Sequence, residues 1–121
     1  VVILDNKSRT LKPRSGRKNP TKSDEELDEY LRQLYLYSYI VETVDKKPIS
    51  CLGFNCFRCN PNMIVEPFVQ EKADSAVKWL TDNVARITNE TEFQPDMDYF
   101  KCANLCDMHE HCEYFQMTWG K

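Results

Sequence analysis

Six cysteines and two histidines hold most of the reactive chemistry of this 121-residue chain. They fall in two groups: Cys51, Cys56 and Cys59 within CLGFNCFRC, and Cys102, Cys106, His109, His111 and Cys112 within KCANLCDMHEHCEYFQMTW. Thiols and imidazoles so grouped can close disulfides, ligate zinc or hold an iron–sulfur cluster. An even cysteine count in a short chain favours disulfides. The expectation is three bridges among Cys51, Cys56, Cys59, Cys102, Cys106 and Cys112, joining the first group to the second either throughout or by one link with one internal bridge in each group, out of fifteen possible pairings.

The metal readings compete with this one. Cys51, Cys56 and Cys59 have the C-x4-C-x2-C spacing of a plant-type [2Fe–2S] ferredoxin loop, with Cys102 as a distant fourth thiolate. Such a loop needs small residues so that its amides reach the sulfurs, and here Leu52, Phe54, Asn55, Phe57 and Arg58 intervene. For zinc, Cys56-x2-Cys59 is a plausible half-site, but a tetrahedral shell pairs two tight knuckles. Cys102-x3-Cys106 lies along a helix instead, and His109 and His111 cannot share one helix face. The site is therefore read without metal or cofactor. The alternative is an intracellular or organellar zinc or iron–sulfur binding or assembly subunit with reduced cysteines.

Catalytic signatures are missing: the chain has no HExxH, P-loop, G-x-S-x-G or G-x-G-x-x-G. A nucleophile pair drawn from Cys106 or Cys112 with His109 or His111 needs a free thiolate, which oxidation would remove. The expected protein is not an enzyme.

Positioning falls mainly to helices. Only three glycines punctuate the chain, too few for a many-stranded barrel or sandwich. Ser23 with Glu26 reads as a capping box opening a helix, and Leu27, Tyr30, Leu34, Tyr37, Val41 and Val44 follow at helical spacing. Ile49 to Asn62 reads as a cysteine-dense loop. A second helix takes Pro67 in its first turn, with a stripe of Val69, Ala73, Ala76, Leu80, Val84 and Ile87. A third begins near Asp96 and carries Cys102 and Cys106 on one face. VVILD, MIVEPF and FQMTW are the strand candidates, from their β-branched content or alternation. The fold class expected is α+β, a helix-led, disulfide-stapled domain with a minor sheet; the alternative is an all-α, disulfide-linked bundle.

Charge divides the chain in two. Residues 1–22 carry seven basic side chains against one acid, and the remainder nine against eighteen. Residues 1–22 are read as a mobile basic arm, with a candidate edge strand over 1–5, and residues 23–121 as the single domain. The arm offers a contact for polyanions, but it has no aromatic residue to stack on bases, so no nucleic-acid partner is expected. Arg14-Ser15-Gly16-Arg17 fits the minimal R-x-x-R convertase pattern, a spacing that a basic arm also produces by accident. No apolar run is long enough to span a membrane. VVILDNKSRT lacks an initiating Met and a signal-like apolar core, as in a processed chain. The sequons Asn6-Lys7-Ser8 and Asn89-Glu90-Thr91 make Asn6 and Asn89 candidate glycosylation sites. With the cysteines, they point to an extracellular, secreted glycoprotein.

Cys102-x3-Cys106-x5-Cys112, followed by an aromatic residue in CANLCDMHEHCEYFQMTW, resembles the signature of PAN/apple domains over residues 102–119. The resemblance implies a helix bearing Cys102 and Cys106, a strand opened by Cys112, and disulfides pinning helix to sheet. It also implies binding of proteins or glycans outside the cell without catalysis. The expected function is a secreted binding protein (a ligand, inhibitor, toxin-like effector or complex subunit) whose partner is another protein, a receptor or complex subunit. Aromatic residues and arginine anchor interfaces, so the contact candidates are Tyr30, Tyr35, Tyr37, Tyr39, Phe54, Phe57 and Arg58.

Overall fold

The computed structural model describes residues 1–120. Two units divide the chain, Val1–Ile87 and Thr88–Lys121. The first is built on a sheet of three strands, β1 (Val2–Lys7), β2 (Cys51–Cys56) and β3 (Met63–Pro67), in that order. β1 runs parallel to β2, with Val2 opposite Cys51; β3 runs antiparallel to β2, with Cys51 opposite Pro67. A parallel pair needs a crossover connection, and α1 (Lys22–Ile40) lies in it. The fold is α+β.

The first helix starts earlier than expected. Thr21, not Ser23, is its N-cap: the Thr21 hydroxyl accepts from the Asp24 amide, and the Asp24 carboxylate accepts from the Thr21 amide. Beyond Ile40 the helix widens into a π-turn, Val41–Asp45, and ends where Lys46 adopts a left-handed φ of 54°. Its inward face is Leu27, Leu31, Leu34, Tyr35 and Ser38, a stripe rotated from the expected one. Tyr37 and Val44 face solvent.

The stretch read as a cysteine-dense loop contains the central strand. Leu52, Phe54 and Cys56 alternate along β2 and are wholly buried, joining Leu27, Leu31, Leu34 and Ile64 in one core. A period of two is strand period, and here it was hidden because a cysteine and two aromatic or aliphatic residues share it. The 1–22 arm is not detached. Its first part is β1, the expected edge strand, and Leu11 is buried in the core. Arg14 then bridges to Asp28 (2.6 Å) and Glu66 (3.0 Å).

Pro67 closes β3 rather than opening a helix, and α2 (Gln70–Asn89) follows. Ala73 and Ala76 of its stripe are buried, whereas Leu80, Val84 and Ile87 are exposed.

The second unit contains α3 (Tyr99–Asn104), a 3-10 turn at His109–His111, and α4 (Glu113–Trp119). The Asp98 side chain caps α3 by accepting from the Lys101 amide at 2.8 Å. Two expectations are corrected here. FQMTW is helical, not a strand: the Gln116 amide donates to the Cys112 carbonyl, and i, i+4 spacing brings the Phe115 and Trp119 rings to 5.5 Å. Cys102 and Cys106 do not share a helix face, because α3 ends at Asn104.

Candidate functional site

The first cysteine group forms a corner where β2 turns into β3. Cys56 is the last residue of β2, and the tight turn after it brings the Cys59 Cα within 5.3 Å, inside the range a disulfide spans. Cys56 and Cys59 are bridged. This bridge closes within the first group, and Cys51, Cys102, Cys106 and Cys112 are free thiols. Among the described residues, no three His, Cys, Asp or Glu side chains converge as a metal shell would need.

The bridge lies against the N-terminal arm. The Cys56 Sγ is 3.0 Å from the Arg9 carbonyl oxygen. The Cys59 Sγ is 3.2 Å from both the amide nitrogen and the carbonyl oxygen of Leu11. Cys56 is sealed from solvent, and Cys59 is half-buried. Phe57, 66% exposed, and the exposed Arg58 stand between them on the outside of the turn.

The contact candidates separate by depth. Phe57, Arg58, Tyr37 and Tyr39 are on the surface. Phe54 and Tyr35 are core residues, a correction to their reading as partner contacts. Phe54 belongs to the inward face of β2, and Tyr35 packs its ring 5.6 Å from that of Phe68. Burial pushes the Tyr35 hydroxyl above its ordinary pKa. Tyr30 is half-buried; its ring meets Phe54 edge-on, and the Lys7 ammonium sits 4.9 Å from its centroid.

The outward face of the sheet was not foreseen. Residues paired across the strands project to the same side, so Val2, Cys51 and Pro67 form one row, Leu4, Gly53 and Val65 the next, and Asn6, Asn55 and Met63 the third. Val2, Leu4 and Val65 are each about half exposed, and Met63 is exposed as well. Gly53 makes the middle of this face flat; a Cβ there would sit 2.7 Å from the Ile64 carbonyl oxygen. The β-branched and aliphatic content of VVILD and the run MIVEPF signalled strands, but local pattern could not show that Val2, Leu4, Met63 and Val65 would stand on an exposed face.

A recess of about 300 Å³ lies between α1 and α2, lined by Leu31, Arg32, Tyr35, Lys72, Ala76 and Trp79 among others. The Arg32 guanidinium covers the Trp79 ring at 4.7 Å.

In the second unit, Cys102 and Cys112 are half-buried and Cys106 is exposed. The His109 Nδ1 is 2.8 Å from the Cys106 carbonyl oxygen, and its ring meets Phe115 at 5.4 Å. That arrangement occupies the imidazole with local packing.

The sequons Asn6 and Asn89 are both exposed. Asn6 sits on the outward sheet face and accepts a hydrogen bond from the Asn55 amide at 3.0 Å, whereas Asn89 ends α2. The R-x-x-R segment is tied down, with Arg14 in its two ion pairs, Ser15 donating twice to Asp24, and Gly16 at a φ of 68°. No helix among the described residues is long and apolar enough to cross a membrane. No family model, characterised protein or solved structure matches this chain.

Proposed function

We propose that this chain is a secreted, non-enzymatic binding protein that holds a protein partner against the outward face of its sheet. The observation that carries the reading is the uncovered apolar surface of Val2, Leu4, Met63 and Val65 around Gly53. The β2–β3 pair is antiparallel, and a sheet of that kind that faces water on one side usually carries polar residues there, whereas this exposed face carries Val2, Leu4, Met63 and Val65. A partner that supplies an apolar surface of its own would complete the missing layer, with the hydrophobic effect as the driving force.

The Cys56–Cys59 bridge and the exposed sequons support an extracellular setting. A glycan on Asn6 would stand on the docking face. The surface residues Phe57 and Arg58 extend the available contact at the end of β2.

The test places a photo-crosslinking residue at Val65 and, as a control, at the exposed Gln33 on α1, and exposes each protein to intact cell surfaces. Adducts formed from position 65 alone, competed by the unlabelled wild type but not by a Leu4→Lys protein, are the expected outcome. Equal adducts from both positions, or none from position 65, would remove the sheet face from the proposal.

A further inference from the structure

The Cys56–Cys59 bridge has features that a purely structural staple does not need. It closes a loop of sequence separation 3, and short closures restrict the unfolded chain least, so the bridge does little to hold distant elements together. Its two sulfurs are unequal. Cys56 is fully buried at the end of the central strand, with its Sγ facing the Arg9 carbonyl oxygen at 3.0 Å. Cys59 is half-buried, and its Sγ receives a hydrogen bond from the Leu11 amide at 3.2 Å, with the Leu11 carbonyl oxygen at the same distance. An amide donor aimed at sulfur favours thiolate over thiol, and the residue preceding Cys59 in the chain is the exposed Arg58.

We propose that Cys56 and Cys59 form a thiol–disulfide exchange site that reacts with dithiols through Cys59. A thiolate of the dithiol attacks the Cys59 Sγ, the more accessible sulfur. A mixed disulfide forms at Cys59, the Cys56–Cys59 bond breaks, and Cys56 departs as a thiolate. Once the bridge is open Cys56 takes up a proton and can donate its S–H to the Arg9 carbonyl oxygen. The second thiolate of the dithiol attacks its own sulfur in the mixed disulfide, releasing Cys59 as a thiolate beside the Leu11 amide. Two electrons pass from the dithiol, which leaves as a disulfide, to the protein; the dithiol gives up two protons to the medium, and Cys56 and Cys59 take up two to complete the protein dithiol. The reverse sequence reduces a disulfide partner and re-forms the Cys56–Cys59 bond. Phe57 and Arg58, exposed on the turn between the cysteines, are the surface such a partner meets first.

The experiment uses the native, oxidised full-length protein. Reduced glutathione, which has one thiol and so stops at the mixed disulfide, is the first probe; dithiothreitol is the second. Trypsin cuts after Arg58 and places Cys59 in the peptide Cys59–Lys72, which contains no other cysteine. Mass mapping should find the glutathione adduct on that peptide in roughly tenfold excess over Cys56. Dithiothreitol should open the bridge without denaturant. A bridge that dithiothreitol opens only after denaturation, or glutathione found equally or mainly on Cys56, would overturn the proposal.

Single variants give an independent readout with glutathione disulfide. The Cys56→Ser protein should capture glutathione at Cys59 in the folded state, and the Cys59→Ser protein should leave Cys56 unmodified until unfolded. Equal capture by both folded variants would also sink the assignment.

Discussion

Asp24 shows how much one side chain organises this fold. It is 2% exposed, and its carboxylate accepts four hydrogen bonds, from the amide and hydroxyl of Ser15 and from the amide and hydroxyl of Thr21. It thus closes the capping box of α1 and fastens the arm to the helix start. Those donors hold its pKa well below the ordinary carboxylate range, the Ser15 hydroxyl most of all. Asp28 is depressed as well, chiefly by the Arg14 guanidinium. The sign follows: a carboxylate with a lowered folded pKa stabilises fully above its unfolded pKa of about 4, and that contribution drains away as pH falls toward the folded value. Asp24→Asn should therefore lower Tm at pH 7, with the deficit shrinking at about pH 3. An equal deficit at both pH values would show that charge at Asp24 is not the source. Gly53 is a second single-residue constraint. A methyl group there meets the Ile64 carbonyl at 2.7 Å and a Leu4 methyl at 3.0 Å, and backbone cannot easily move aside. Gly53→Ala should cost about 1–3 kcal/mol in urea unfolding, the range for overpacking. No measurable loss would mean that the strands spread freely.

At the level of elements, α2 changes character along its length. Its N-terminal turns bury Ala73 and Ala76, both 4% exposed, while further along the same stripe Ile87 is 65% exposed. The sequence shows one continuous apolar face and cannot show where its cover stops. Ala73→Leu should destabilise by about 1–3 kcal/mol by overfilling the contact. Ile87→Gln should stay within about 0.5 kcal/mol, as surface changes do. Chemical denaturation of the two proteins compares the ends of the helix directly; equal losses would mean that Ile87 is sheltered too. The sheet makes the same point. β1 and β3 were legible from β-branched runs, but β2 was concealed because CLGFNC reads first as cysteine spacing and only then as alternation. Reading it as a loop placed Phe54 outside, and the strand puts it at the centre of the core.

Across the whole molecule, the buried core residues of the described chain all belong to Val1–Ile87. The second unit has no fully buried residue among those described; it gathers Tyr99, His109, Phe115 and Trp119 into ring contacts at 5.4–6.4 Å. Segments with little buried apolar surface open locally at low free-energy cost. Amides of α3 and α4 should exchange with solvent deuterium well before those of α1 and β2, read by peptide-level mass spectrometry. Equal protection would refute the division. Local sequence was enough for what neighbouring residues decide: the acidic start and apolar stripe of α1, the amphipathic α2, the strand tendency of VVILD and MIVEPF, a third helix beginning near Asp96, and the α+β class. Each rests on capping, turn chemistry or period within a few turns of chain. Tertiary structure alone decided that Leu11 and Arg14 dock the arm, that Cys56 meets Cys59, that Phe54 is inside, and that one apolar sheet face stays open. Those outcomes depend on pairing segments far apart in sequence, such as Val2 with Cys51, and local pattern contains no information about which distant surface arrives to cover it.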